Sequence, residues 1–538
     1  MKGTQLVKLH TRGGIAAIAI ATAALLAAGC GGSDSGATGA AKDSAALDYV
    51  PKDAIAYVTI DTDFSGKQWT QLSKMATAVD PDFKSVEDQI IESAADSDDK
   101  VDFQEDVDPW LGESGGAAIL SMGKDGSGDD AEVFAWFEVD DRKALEAFAK
   151  DQKLTEGDAE VNGFQVWNMK DDDGVLAVKD DLAILTEDKA QLAKIVKFDG
   201  ESIKDAAGVS DAIDGVEADS LGTVVVSGAG IRKAIAESSS SYKDAAESAK
   251  QLKDFQALAL SMSAGDDGFL LDGNFVSKSE LNADNVEHPV FQDLPGNTVL
   301  AIGGHDLGGV VKTAADQAGK GNAQVQQAVG AASAVLGVDI DDLAKALEGE
   351  FVLGMSADDE GLGALAGGVA GAAMGGGLGG VDPGQVLQAG TVFLAFGEEG
   401  DAAVTLDKVA GAIGGLTGAT AAPTEGTAGD FKTKQLSIQG LPVTTAASDD
   451  VAALSLGLDV FTDWGSETLS DNDAFKAAWK AADAPDESTS VMWLDAGRIA
   501  TLAGVKGSDD AELGGMVGWS EGDDKEYHFS AFVHVDMK

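Results

Sequence analysis

The chain has 538 residues, 44% of them hydrophobic, and carries 92 Asp and Glu against 38 Lys and Arg, a formal charge of -54. That length exceeds what one core organises and calls for two or more domains, and the hydrophobic content excludes wholesale disorder. The charge excludes nucleic acid as a partner, because such a surface repels a phosphate backbone; it repels anionic lipid headgroups as well, so any hold on a membrane has to come from elsewhere. Adaptation to salt gives an acidic surface of the same kind.

The first element is a short apolar run. Lys2, Lys8 and Arg12 precede it, and it extends from Ile15 to Ala28. As a helix it rises about 21 Å, less than the roughly 30 Å core of a bilayer, which fits a secretory signal better than a span. The run ends in Leu26, Ala27, Ala28, Gly29 and Cys30, the one cysteine of the chain. This resembles a bacterial lipoprotein signal, in which small residues precede a cysteine that receives a diacylglycerol. Ala27 departs from the pattern, which has leucine three residues before the cysteine. The alternative is an ordinary signal peptide with an incidental cysteine. On the lipoprotein reading, residues 1–29 are the signal, acylated Cys30 is the anchor, and the protein is extracytoplasmic and held on the cell membrane. No disulfide is then available within the chain. Residues 30–46, rich in Gly, Ser and Ala, read as a flexible tether with a mean reach of about 22 Å.

Beyond the tether, five blocks recur in the same order. Tyr49 to Asp63 (YVPKDAIAYVTIDTD) parallels Asp293 to Asp306 (DLPGNTVLAIGGHD), and Trp110 to Met122 parallels Leu347 to Ser356. Ala131 to Ala149 parallels Gly390 to Ile413, Thr223 to Ile235 parallels Ser490 to Leu502, and Ser263 to Val276 parallels Ser520 to Val535. Five matches in one order predict two homologous halves, 47–278 and 286–538. Within them Val133 to Val139 predicts a strand covered on both sides, since apolar residues break its alternation. Asp141 caps a predicted helix with Leu145, Phe148 and Ala149 on one stripe. Ser239 to Phe255 and Asp473 to Asp483 also read as helices. The DDDG at Asp171 to Gly174 opens a predicted hairpin of DGVLAV and DDLAIL. Tyr527, Phe529, Ala531, Val533 and Val535 share a face of a last strand, opposite His528, Ser530, His534 and Asp536. Short polar turns between strands favour antiparallel pairing. The expected fold class is therefore α+β, each half an antiparallel sheet with helices packed on one face.

The glycine-rich segment 361–380 sits where the first half has a short polar loop. It reads as a flexible insertion, with a glycine zipper or membrane-touching helix as the alternative.

Residues able to do chemistry are few. Of five histidines, His10 lies in the signal, and His528 and His534 are about 20 Å apart along one strand, too far to share a metal. They read as solvent-facing. Gly112 to Gly116 (GESGG) matches a serine-nucleophile pattern, yet it leads into a strand where a nucleophile elbow leads into a helix, so Ser114 reads as a turn residue. DSDD (Asp96 to Asp99), DGSGDD (Asp125 to Asp130), DDDG and GDDG (Gly265 to Gly268) lack the spacing of a calcium loop. They read as hairpin turns, with weak divalent-cation binding as the alternative. No cofactor motif is present.

Three stretches carry a family resemblance: VPKDAIAYVTID after the tether, DPWLGESGGAAI, and FQVWNMKDDDGVLAVKDDLAILTEDKAQLAKIV followed by ESIKDAAGVSDAI. Their order resembles the uncharacterised bacterial envelope family DUF3352, whose members are often lipoproteins or single-span surface proteins. The resemblance implies an envelope location and brings no catalytic residue to carry over. The expectation is a lipid-anchored protein with a non-catalytic binding or scaffolding role in the cell envelope. A carrier of a lipid or other apolar ligand in a sheet–helix cavity is the first alternative and a hydrolase the second.

Overall fold

The computed structural model describes residues 44–79, 103–123, 131–157, 160–169, 174–238, 252–281, 284–309, 344–359 apart from 346, 390–397, 402–416, 423–438, 441–502 apart from 458 and 463, and 511–537 apart from 524, with the isolated positions 83 and 312. The signal, Cys30, most of the tether, the acidic turns at 96–99, 125–130 and 171–173, the helix expected at 239–251 and the glycine-rich segment 361–380 lie outside the described residues.

The chain divides into two compact units. One comprises Met1–Asn282 with Asp523–Ala531 and Met537, and the other Ala283–Gly522 with Phe532–Asp536 and Lys538. Both are mixed helix and strand, built on antiparallel sheet.

The first unit contains β1 (Ala56–Asp61), β2 (Leu111–Ser121), β3 (Glu132–Val139), β4 (Thr155–Glu156), β5 (Gln165–Asn168), β6 (Val175–Lys179), β7 (Leu182–Thr186), β8 (Gly222–Ser227), β9 (Phe255–Ala264) and β10 (Gly268–Ser277). Its ladders run in the order β10-β9-β8-β1-β2-β3-β7-β6-β5-β4, every pair antiparallel. The expected hairpin is β6–β7, with Lys179 opposite Leu182 and Asp180 at φ +50° in the two-residue turn. Aspartate tolerates that left-handed conformation better than most residues. The GDDG at 265–268 is likewise a hairpin turn, joining β9 to β10.

Helices α1 (Lys67–Val79), α2 (Arg142–Asp151), α3 (Lys189–Val196), α4 (Val209–Asp214) and α5 (Gly228–Ser238) belong to the same unit. Asp141 caps α2 by receiving the N–H groups of Lys143 and Ala144 at 2.8 and 3.2 Å. Asp141→Ala is expected to cost about 1 kcal/mol, checked by urea unfolding; a wild-type midpoint would mean that the cap contributes nothing.

Successive side chains of β3 alternate between two cores. Phe134 and Trp136 join Leu192 and Ile195 of α3, Ala212 of α4 and Leu47. Ala135, Phe137 and Val139 join Leu145 and Phe148 of α2, together with Phe103 and Val107. The expectation of helices on one face is thereby corrected: a central strand that is apolar at nearly every position needs cover on both sides, and α2 and α3 supply it from opposite faces. The tether boundary is corrected as well. Ala45–Tyr49 form a 3₁₀ turn with Ala46 and Leu47 buried, so the folded part begins at Ser44.

The second unit contains β11 (Thr298–His305), β12 (Glu350–Ser356), β13 (Thr391–Gly397), β14 (Thr424–Ala428), β15 (Phe431–Ile438), β16 (Leu441–Ala447), β17 (Val451–Leu456), β18 (Ser490–Leu494) and β19 (Ala511–Asp523), followed by the last strand β20 (Glu526–Met537). The order β19-β18-β11-β12-β13-β17-β16-β15-β14 repeats that of the first unit strand for strand. An isolated bridge joins Pro51 to Ser202 in one unit and Pro295 to Thr468 in the other. Its helices are α6 (Pro289–Gln292), α7 (Ala402–Leu416), α8 (Asp473–Ala481, as expected from the sequence) and α9 (Ala496–Leu502). Here too β13 is covered on both sides, Phe396 by Leu406 of α7 and Phe393 by Trp464. Ile302 and Leu353, directly paired, are exposed on one face together with Leu300.

Candidate functional site

A cavity of about 770 Å³ opens in the first unit where the loop before β1, the ends of β2 and β3, and helices α3 and α5 converge. Pro51, Ala54, Leu120, Ile195 and Phe198 give it an apolar lining. Asp53, Glu132, Lys194, Lys233 and Glu237 add charge. Lys194 pairs with Glu132 and Lys233 with Asp53, each at 2.8 Å. The hydrogen bond to Glu132 pushes the Lys194 pKa up. Both pairs are well exposed, with side-chain accessibilities from 38 to 67%, so they add little to stability and are open to exchange with a ligand's charges. The volume falls within the roughly 300–1,000 Å³ of small-molecule sites.

Other arrangements of reactive residue types are closed to solvent. Ser114 is 4% exposed and stands in β2 opposite Asp61, so GESGG is the irregular start of a strand, where a turn was expected. Glycine makes this possible: a Cβ on Gly116 would lie 1.9 Å from the Val58 carbonyl and 2.9 Å from the Trp136 Nε1. In the second unit His288 lies between Ser488 and Glu350, the residue types of a hydrolytic triad. Its Nε2 is 2.9 Å from the Ser488 carbonyl and 3.1 Å from the Ser488 Oγ, and its Nδ1 is 3.9 Å from Glu350 Oε1. A carbonyl only accepts, so Nε2 carries the proton and cannot take one from Ser488. All three residues are at most 7% exposed. The Glu350 carboxylate receives the N–H groups of Val290 and Phe291, both at 2.9 Å, and pins α6 to β12. The group is therefore structural.

His528 is not a solvent-facing strand residue as expected. It is half-buried in the first unit, its Nδ1 donating to the Gly215 carbonyl at 3.1 Å, beside Ser530 donating to Asp272 at 2.8 Å. His534 is also half-buried. Burial of Phe532 accounts for the apolar break in the strand's polar face. Asp266 of the GDDG turn pairs with Lys67 at 3.2 Å. Among the described residues no cluster of His, Cys, Asp or Glu is arranged to hold a metal ion, and no helix is long and apolar enough to cross a membrane.

The model of the family described as "Protein of unknown function (DUF3352)" matches residues 13–503. The chain belongs to that family. No curated protein matches this DUF3352 member. Among solved structures it is similar to crystal form III of TP0453, at 11% identity over 45% of this chain and 88% of that one, with a TM-score of 0.24. Crystal form I of TP0453 gives 10% identity over 46% and 89%, with a TM-score of 0.25. In the DUF3352 chain the charged residues of the cavity come from four separated stretches, and no local motif marks them. The one available signal is in the repeat, where these positions are charged in the first half and neutral in the second.

Proposed function

We propose that this chain is a lipid-anchored extracytoplasmic protein of the cell envelope that binds a small ligand without catalysis, and that its two halves descend from one duplicated α+β unit. The observation that carries the binding reading is the first-unit cavity, with its apolar lining and exchangeable ion pairs. Burial of Ser114 and of the Ser488–His288–Glu350 group speaks against a hydrolase, since neither offers a nucleophile to substrate. Duplication is supported by the shared ladder order, the paired proline bridges and the five recurring blocks. Anchoring is supported by Cys30, the sole thiol, standing directly after small residues at the end of an apolar run. Weak divalent-cation binding by the acidic surface belongs to the same reading.

Two measurements test it. Native mass spectrometry of the purified chain is expected to find a non-covalent adduct of small-molecule mass at one per chain; a bare chain that also takes up no added amphiphile sinks the binding reading. Cys30→Ser is expected to move the protein from the membrane fraction to the soluble fraction with its thermal unfolding unchanged. Acyl chains hold a protein by about 0.8 kcal/mol per buried CH₂, so losing them abolishes retention by an otherwise acidic molecule. A mature amino terminus at a residue other than Cys30 would overturn the anchor.

A further inference from the structure

The shared ladder order allows each cavity residue to be matched to a position in the second unit. Pro51 and Pro295 make the equivalent bridges, so Asp53, two residues on, corresponds to Asn297. Glu132 precedes the Val133–Ile119 pair and Thr391 precedes the Val392–Met355 pair. Counted back from the bridging Ser202 and Thr468, Lys194 corresponds to Val460 and Phe198 to Trp464. Ser227 and Asp495 open α5 and α9 by receiving the N–H groups of Gly230 and Arg498, so Lys233 corresponds to Thr501. All four paired charges of the cavity are thus neutral in the other unit. Trp464, in the place of Phe198, packs against Phe393, Phe431 and Phe461 at centroid distances of 5.4, 5.7 and 6.0 Å. One unit holds a polar-edged cavity where the other holds an aromatic cluster.

From this difference, and resting on the binding role proposed above, we propose that the first-unit cavity takes one zwitterionic amphiphile, a single apolar chain bearing a phosphate ester and an amine. Leu120, Ile195 and Phe198 offer the apolar body a lining. Lys194 and Lys233 exchange their carboxylate partners for the phosphate, and the freed carboxylates with Glu237, which joins neither pair, meet the amine. The sign of the charges selects this class. Three carboxylates against two lysines, in a chain of charge -54, repel a purely anionic amphiphile, while a purely cationic one leaves both lysines without an anion. A ligand of both signs satisfies every group and stays neutral in the field of the whole protein.

The test uses the purified chain with dodecylphosphocholine, dodecyl sulfate and dodecyltrimethylammonium, each below its micellar concentration, with binding followed by calorimetry and native mass spectrometry. Dodecylphosphocholine is expected to bind one per chain, about tenfold or more tighter than either singly charged probe. Lys194→Met and Lys233→Met are each expected to weaken it about tenfold, and Phe198→Ser to weaken all three, with circular dichroism unchanged. If a singly charged probe binds as tightly, or the lysine variants bind normally, the zwitterion assignment fails while a cavity sensitive to Phe198→Ser remains a binding site. If no probe binds at one per chain, both the assignment and the binding role fall.

Discussion

Trp136→Ala is expected to lower the stability of the chain by about 3–5 kcal/mol, the range for emptying a buried aromatic site. Trp136 is fully buried and lies parallel to Tyr57, with ring centroids 5.8 Å apart and an interplanar angle of 4°. It stands against Gly116 of β2 and between Phe134 and the helix residues of the same core, so the indole is enclosed by strands that cannot close over a void without breaking their ladders. Denaturant unfolding of wild type and variant measures the loss. A decrease below about 1 kcal/mol would mean that the sheet collapses onto the gap and that this core is far more plastic than close packing implies.

A second large effect is expected on changing pH. Glu350 is 7% exposed, and burial pushes its pKa up from 4.5 to about 7. The unfolded chain gives up this proton near 4.5, while the folded chain keeps it to about 7. Between those values the folded state binds more protons, so the contribution is fully present at acid pH, falls as pH rises through the window and stays low above it. Its size is about 3 kcal/mol. Asp61 acts in the same direction in the first unit, burial raising its pKa from 3.8 to about 6. His288 acts oppositely: burial holds its pKa below 6.5, so its contribution is lost as pH falls below 6.5. Glu350→Gln isolates the carboxyl. Glutamine keeps an acceptor for the Val290 and Phe291 N–H groups and directs an amide toward the His288 Nδ1, but it does not titrate. Unfolding free energies at pH 5 and pH 8 are expected to differ between wild type and variant by up to about 3 kcal/mol, wild type losing more toward pH 8. Equal slopes would mean that Glu350 is charged throughout and that its burial is compensated.

Much of the architecture can be read along the chain because it is local. The Asp141 cap, the stripe of Leu145, Phe148 and Ala149, the Asp180 turn and the near-continuous apolar run of β3 each depend on neighbours within a few residues. The repeated blocks anticipate even the ladder order, since each block is a strand with its turn. GESGG was misread for the opposite reason. Whether glycines and a serine form a turn or the edge of a strand depends on Val58 and Trp136, which come from other strands.

By itself, then, the sequence determined the antiparallel α+β class, the division near residue 280, the family and the position of the one thiol, all properties carried by composition, periodicity and order. The tertiary structure alone decided that helices cover both faces of the sheets, that Ser114 and His288 are enclosed, and that Asp53, Glu132, Lys194 and Lys233 meet around one cavity. Those outcomes depend on which distant segments are brought together, and a side chain's solvent access and charge partners are set by that packing rather than by its neighbours along the chain.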